Sequence, residues 1–248
     1  MLDLFTIGMS LSLASFLQGI AGFGFSLVAL PLILSLNGGS PVEAITITII
    51  NSTLQRLMSM KKLGGHVDWK ELYPVFPFGL FGLVIGIGLL YVLSNVDKSV
   101  FKQAVGILIL SILFIKWFLK VKPTDTFKRG WGMFAAGISG VLTGFANIGG
   151  PPIVMWALSH NWRQEKMRIT VIAFTICFVP LQLLLLWIAF GNTMLPMFLK
   201  SLIYFPFVLL GTWLGLLIGN RMNVVATRTV MYVILMIICL ALIIQPLI

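Results

Sequence analysis

Residues Gly140–Pro152, GVLTGFANIGGPP, put four glycines and two prolines into a segment otherwise suited to hydrocarbon. An earlier stretch, Gly19–Pro31 (GIAGFGFSLVALP), does the same in weaker form. Glycine gives a helix no side chain to pack and proline removes a backbone donor, so each stretch interrupts a helix. In lipid an interrupted backbone leaves polar groups unpaired, and the break must be enclosed by protein or face a wet cavity. The rest of the chain therefore has to close around these two breaks, and a binding site where they meet is the expectation.

Composition makes lipid the relevant solvent. Of 248 residues 59% are hydrophobic and only 10% charged, whereas a soluble domain carries about 25% charged residues. The chain reads as an all-α polytopic membrane protein, expected as a multi-pass protein of the cell (inner) membrane. Its lipid partner is the bilayer. The net charge of +10 sits in short loops between apolar runs, which is topology signal rather than a nucleic-acid surface. Cys177 and Cys239 lie in apolar runs without ligand neighbours, so neither a disulfide frame nor a metal site is indicated. The N-terminal MLDLF lacks the basic region of a cleavable signal peptide.

Residues 2–36 would run about 52 Å as one straight helix, well beyond a hydrocarbon core of about 30 Å. They are read as a helical hairpin, re-entrant or broken, followed by spans 42–60, 72–94 and 99–119. A linker, 121–130, separates this first repeat (1–120) from a second (131–248). The second holds a hairpin over 131–158 and spans 166–190, 196–220 and 226–245. Pro77-Phe78-x3-Gly82-x3-Gly86 recurs as Pro206-Phe207-x3-Gly211-x3-Gly215, an offset of 129. Glu43-Ala-Ile-Thr-Ile-Thr pairs with Glu165-Lys-Met-Arg-Ile-Thr, and Gly22-Phe23 with Gly144-Phe145, both at 122. Three ordered matches indicate an internal duplication.

Charge counting sets the topology. If each glycine-broken segment crosses once, Lys and Arg divide 10 inside to 7 outside; if each turns back, they divide 14 to 3. Basic residues favour the cytoplasmic side, so the hairpin arrangement is preferred. A hairpin plus three crossings is odd, which makes the two repeats inverted, with tips entering from opposite faces.

The second arm of such a hairpin starts at the tip. Its helix N-terminus presents unpaired N–H groups and a partial positive charge, which suit an anion. Asn147 or the Gly149-Gly150 pair precedes Pro151-Pro152 as a helix start, and Ser26 is the corresponding cap in the first tip. The candidate substrate-binding residues are Gly22, Phe23, Gly24, Phe25, Ser26, Gly144, Phe145, Asn147, Gly149 and Gly150, with Asn51 and Gln55 as side-wall donors. Gln18 is a further candidate, and Thr175 and Gln182 are the counterparts of the polar cluster around Asn51. Gly82, Gly86, Gly211, Gly215 and Gly219 read as close helix packing. Arg56 snorkels toward the basic loop after it, His66 and His160 take surface loop positions, and Glu43 and Glu165 cap helix starts. No catalytic motif and no cofactor or metal site is indicated.

The two tips, Asn51-Ser52-Thr53 and His66-Val67-Asp68-Trp69-Lys70 together resemble the TauE/SafE family of membrane permeases. Gly22-Phe23-Gly24-Phe25 with Leu30-Pro31, and Gly149-Gly150-Pro151-Pro152, carry the likeness, which covers nearly the whole chain. Phe25-Ser26 and Ala146-Asn147 depart from the more glycine-rich form of the motif. The resemblance implies export or uptake of small anions, with sulfite, sulfoacetate and related organosulfonates as the substrate class. The expected function is a secondary transporter working by alternating access, with an anion channel or a non-transporting assembly subunit as alternatives. This reading leaves room for a coupling ion, H+ or Na+, and for a homo-oligomer.

The hairpin topology predicts that a cysteine at Ser159 is labelled from the cytoplasm and one at Gly191 from outside. Labelling in right-side-out and inverted vesicles checks this, and the reversed pattern contradicts it.

Overall fold

The structure, a computed structural model, describes residues 2–21, 24–37, 40–63, 67, 69–95, 98–118, 129–160, 162–219 and 224–244. Gly22, Phe23, His66, Asp68 and most of the linker 121–130 lie outside the described residues. The described residues are all-helical, without strands: α1 (Leu2–Ala21), α2 (Phe25–Asn37), α3 (Pro41–Leu63), α4 (Trp69–Leu72), α5 (Phe76–Ser94), α6 (Lys98–Phe118), α7 (Arg129–Ala146), α8 (Gly150–Leu158), α9 (Gln164–Phe190), α10 (Met194–Ile203), α11 (Phe205–Gly219) and α12 (Val224–Ile244). A 3-10 turn at Gly191–Thr193 joins α9 to α10.

Both glycine-rich stretches break the helix. The arms are unequal, however. The first arms, α1 and α7, have 20 and 18 residues, and the second arms, α2 and α8, have 13 and 9. At 1.5 Å per residue the first arms reach about 30 and 27 Å, close to a hydrocarbon core, while the second arms reach about 20 and 14 Å. The segment read as one span over 196–220 is likewise two helices. It breaks at Tyr204, whose N–H donates to the Ser201 carbonyl.

The chain divides into two compact units, and each draws on both halves of the sequence. One comprises Met1–Gln55, Leu93–Phe118 and Leu195–Ile248; the other comprises Arg56–Val92 and Leu119–Met194. In the first unit α1 packs on α2 and α11, and α12 packs on α6 and α2. Gly211 and Gly215 of α11 lie against the Ser12 and Phe16 carbonyls of α1, where a Cβ would collide with backbone. In the second unit Gly82 and Gly86 of α5 meet the Gly137 and Val141 carbonyls of α7 in the same manner, and α8 packs on α7 and α9. These glycines are thus the close-packing positions expected of them.

The within-unit contacts recur at a fixed spacing: Ser12 and Phe16 stand 125 residues before Gly137 and Val141, as do the helix end Ala21 before Ala146 and the helix start Phe25 before Gly150.

The faces of α5 show what the protein packs against. Its small and mid-sized residues Gly79, Gly82, Leu83, Gly86, Ile87 and Leu90 are buried, while Phe81 is 71% exposed and Phe78, Val84, Ile85 and Leu89 are exposed too. Trp213 on α11 and Ile237 on α12 repeat the pattern. Bulky apolar groups outside and glycine inside is the reverse of a water-facing helix, and it fits a lipid exterior. Phe76–Ser94, Lys98–Ile115 and Glu165–Ile203 are long and apolar enough to cross a membrane among the described residues.

Two loop expectations change. Ser159 is buried with its hydroxyl donating to the Trp156 carbonyl, so the exposed Arg163 is the better labelling position. His160 is mostly enclosed: it stacks on Trp162, meets the edge of Trp156, and its Nδ1 lies 2.9 Å from the Trp156 carbonyl.

Gly82→Ala inserts a methyl against the α7 backbone, whereas a methyl at Gly88, also on α5, meets open space. Gly82→Ala is expected to cost about 1–3 kcal/mol, and Gly88→Ala to be neutral or to gain about 0.5–1 kcal/mol of helix propensity. Thermal unfolding of the two purified variants checks this contrast.

Candidate functional site

The break between α7 and α8 is the best-defined candidate. Ala146 closes α7, and Asn147 follows in the left-handed region at φ 56°. Its N–H donates to the Thr143 carbonyl at 2.9 Å and the next, that of Ile148, to the Leu142 carbonyl at 3.1 Å. Asn147 thus ends α7 by an αL cap, a place that asparagine tolerates second to glycine. The sequence left open which residue starts α8; the N-cap is Gly149, at φ −70° and ψ −3°. Asn147 belongs to the end of α7, is 2% exposed and is engaged.

Gly149 is where the turn is tightest. A Cβ there would run into the Thr143 hydroxyl and the Ser139 carbonyl. The Ser139 hydroxyl donates to the Gly149 carbonyl, and the Thr143 hydroxyl donates to the Ser139 carbonyl at 2.7 Å. Gln182, on α9 and fully buried, donates through Nε2 to the Thr143 carbonyl at 2.9 Å. That carbonyl therefore accepts twice, from Asn147 and from Gln182. Gly150 differs from its neighbour: nothing lies within 4 Å of where its Cβ would be.

At the start of α8 the four positions Gly149, Gly150, Pro151 and Pro152 carry only two amide N–H groups, because proline has none. The helix still brings a partial positive charge to this end. Two glycine amides at a helix start, with open space where a Gly150 side chain would lie, are the kind of terminus to which anions bind.

Gly24, at φ 102°, precedes α2, and its carbonyl accepts from Val28 N–H at 3.2 Å. The cap expected of Ser26 comes from elsewhere: Gln18 Oε1 accepts the Phe25 N–H at 2.8 Å. Ser26 is the second residue of α2 and is buried, as is Phe25. Phe145 is buried likewise, and Gly144 presses on the Leu83 carbonyl of α5. Close packing alone accounts for the glycine at 144.

Asn51 and Gln55 are fully buried or nearly so in the first unit. Asn51 donates through Nδ2 to the Ile47 carbonyl at 3.0 Å and to the Ser201 carbonyl at 3.1 Å, securing the α10–α11 break. Gln55 donates to the Ser15 carbonyl at 3.3 Å and to the Thr212 hydroxyl at 3.0 Å. Both amides thus tie helices together within their unit. Arg56 is half-buried, and Glu43 in the first turn of α3 pairs with Lys200 rather than acting only as a cap. Ser139 and Thr143 escaped the sequence reading. Their signal was the i, i+4 spacing of two small hydroxyl residues on one face of α7. The groove along α5 and α7, lined by Phe78, Phe81, Ile85, Phe134 and Ile138, is apolar and offers an anion nothing.

The described residues are all-helical, with a lipid-type exterior and helices broken at glycine-proline turns, features shared by membrane transport proteins with discontinuous helices. The family model for the sulfite exporter TauE/SafE matches residues 7–242, nearly the whole chain. The chain belongs to that family, a family of membrane transporters. No curated protein and no solved structure matches it.

The two adjacent glycines of the tip should respond differently. Gly149→Ala is expected to lower the unfolding temperature through overpacking of about 1–3 kcal/mol, and Gly150→Ala to leave it within about 0.5 kcal/mol of the parent. Differential scanning fluorimetry of both proteins in detergent is the check.

Proposed function

We propose that this protein is a secondary transporter of a small anion, of the sulfite, organosulfonate or carboxylate class, in the cell's inner membrane. The carrying observation is the start of α8, where Gly149 and Gly150 supply the two amides and Gly150 borders open space. The family supports the sulfur-anion class. A small oxyanion needs donors and positive potential, and a helix N-terminus gives both without the cost of a permanently buried cation. The start of α2, with Gly24 ahead of it, is the repeated counterpart. Inverted repeats exchanging access between the two sides of the membrane complete the proposed mechanism. Asn51 and Gln55 serve it by holding the helices rather than by touching the anion.

Purified protein in liposomes should show saturable sulfite or sulfonate flux stimulated by counterflow; conductance without counterflow would point to a channel instead. Gly150→Leu fills the open space beside the amides, and it is expected to abolish flux while the protein inserts and folds normally. Uptake at the parental rate by that variant would sink the tip assignment.

A further inference from the structure

We infer that the α7–α8 break also binds a monovalent alkali cation, held by the Gln182 side-chain carbonyl beside the C-terminal end of α7. The role of that ion as the coupling ion rests on the transporter reading; its binding does not.

Gln182 is fully buried, and its Oε1 has no hydrogen-bond partner. The orientation of the amide is fixed by its surroundings: Nε2 lies 2.9 Å from the Thr143 carbonyl, and a flipped amide would set two oxygens against each other. Gln182 thus keeps a buried, unpartnered oxygen on the amide whose nitrogen reaches the Thr143 carbonyl, which also accepts from Asn147. Buried carbonyl oxygens are normally satisfied. The same turn carries further oxygens, from Ser139, Thr143 and Gly149, and it closes α7 at the negative end of that helix's dipole.

An oxyanion is the wrong occupant for this oxygen, because acceptor would face acceptor. A cation is the right one. Divalent ions take their charge from carboxylates, and among the described residues there is no cluster of His, Cys, Asp or Glu able to hold a metal. Neutral carbonyl and hydroxyl oxygens at a helix C-terminus fit Na+ or a neighbouring alkali ion, as at the unwound helices of other transporters. The break then has two sides of opposite polarity, with α8 amides for an anion and α7 oxygens for a cation.

The test is thermal unfolding of the full chain in detergent, without substrate anion, titrated with NaCl, LiCl or KCl against choline chloride at equal ionic strength. Saturable stabilisation by an alkali chloride over choline is expected. Gln182→Leu should lose it and Gln182→Glu should keep or strengthen it. If Gln182→Leu does not fold, Thr143→Val, which removes one hydroxyl oxygen of the same turn, should weaken the response. Equal curves in all four salts overturn the inference and leave the oxygen to water. An unchanged response in Gln182→Leu, or in Thr143→Val where Gln182→Leu does not fold, overturns the assignment to this site. Counterflow in liposomes separates the two ideas. Cation stabilisation without anion flux would retain the site and remove the transporter reading, and flux without cation stabilisation would do the reverse.

Discussion

A broken helix in a low-dielectric medium must find partners for the backbone groups it frees, and this requirement organises the structure. Three of the breaks carry an amide side chain that meets a backbone group beside them. Gln18 accepts from the first N–H of α2, Asn51 donates to the Ser201 carbonyl before α11, and Gln182 donates to the Thr143 carbonyl at the end of α7. Neutral amides suit this task, since they offer both a donor and an acceptor without the desolvation cost of a charge. They also fix the conformation of the breaks.

Holding a break in place also requires rigid neighbours. The glycines of α5 and α11 let those helices press on α7 and α1 closely enough for backbone to meet backbone. With no hydrophobic force between helices in lipid, such contact is the main source of cohesion. The bulky residues go outward to the lipid. Packing and function thus divide the glycines between them. Gly82, Gly86, Gly144, Gly211 and Gly215 serve contact, Gly149 serves the turn, and Gly150 borders open space.

Much of this was legible in the sequence, for physical reasons. Glycine and proline inside apolar runs announce the breaks, because no other residues perturb a helix as strongly. The Pro-Phe-x3-Gly-x3-Gly repeat announces packing helices, because glycine every four residues leaves one bare face. The cap at the first tip was not legible. Ser26 has the right chemistry and the wrong position, and the acceptor comes from Gln18, seven residues back. The grouping of segments from both halves in each unit depends on long-range contacts that no local pattern encodes.

The central claim is that an anion is bound by the amides at the start of α8 rather than by a charged side chain. Isothermal titration of the purified protein with sulfite or a small organosulfonate tests it most directly, with parent and Gly150→Leu compared. Saturable binding by the parent that is absent from the folded variant is the predicted result. Binding of equal affinity in both proteins would contradict it.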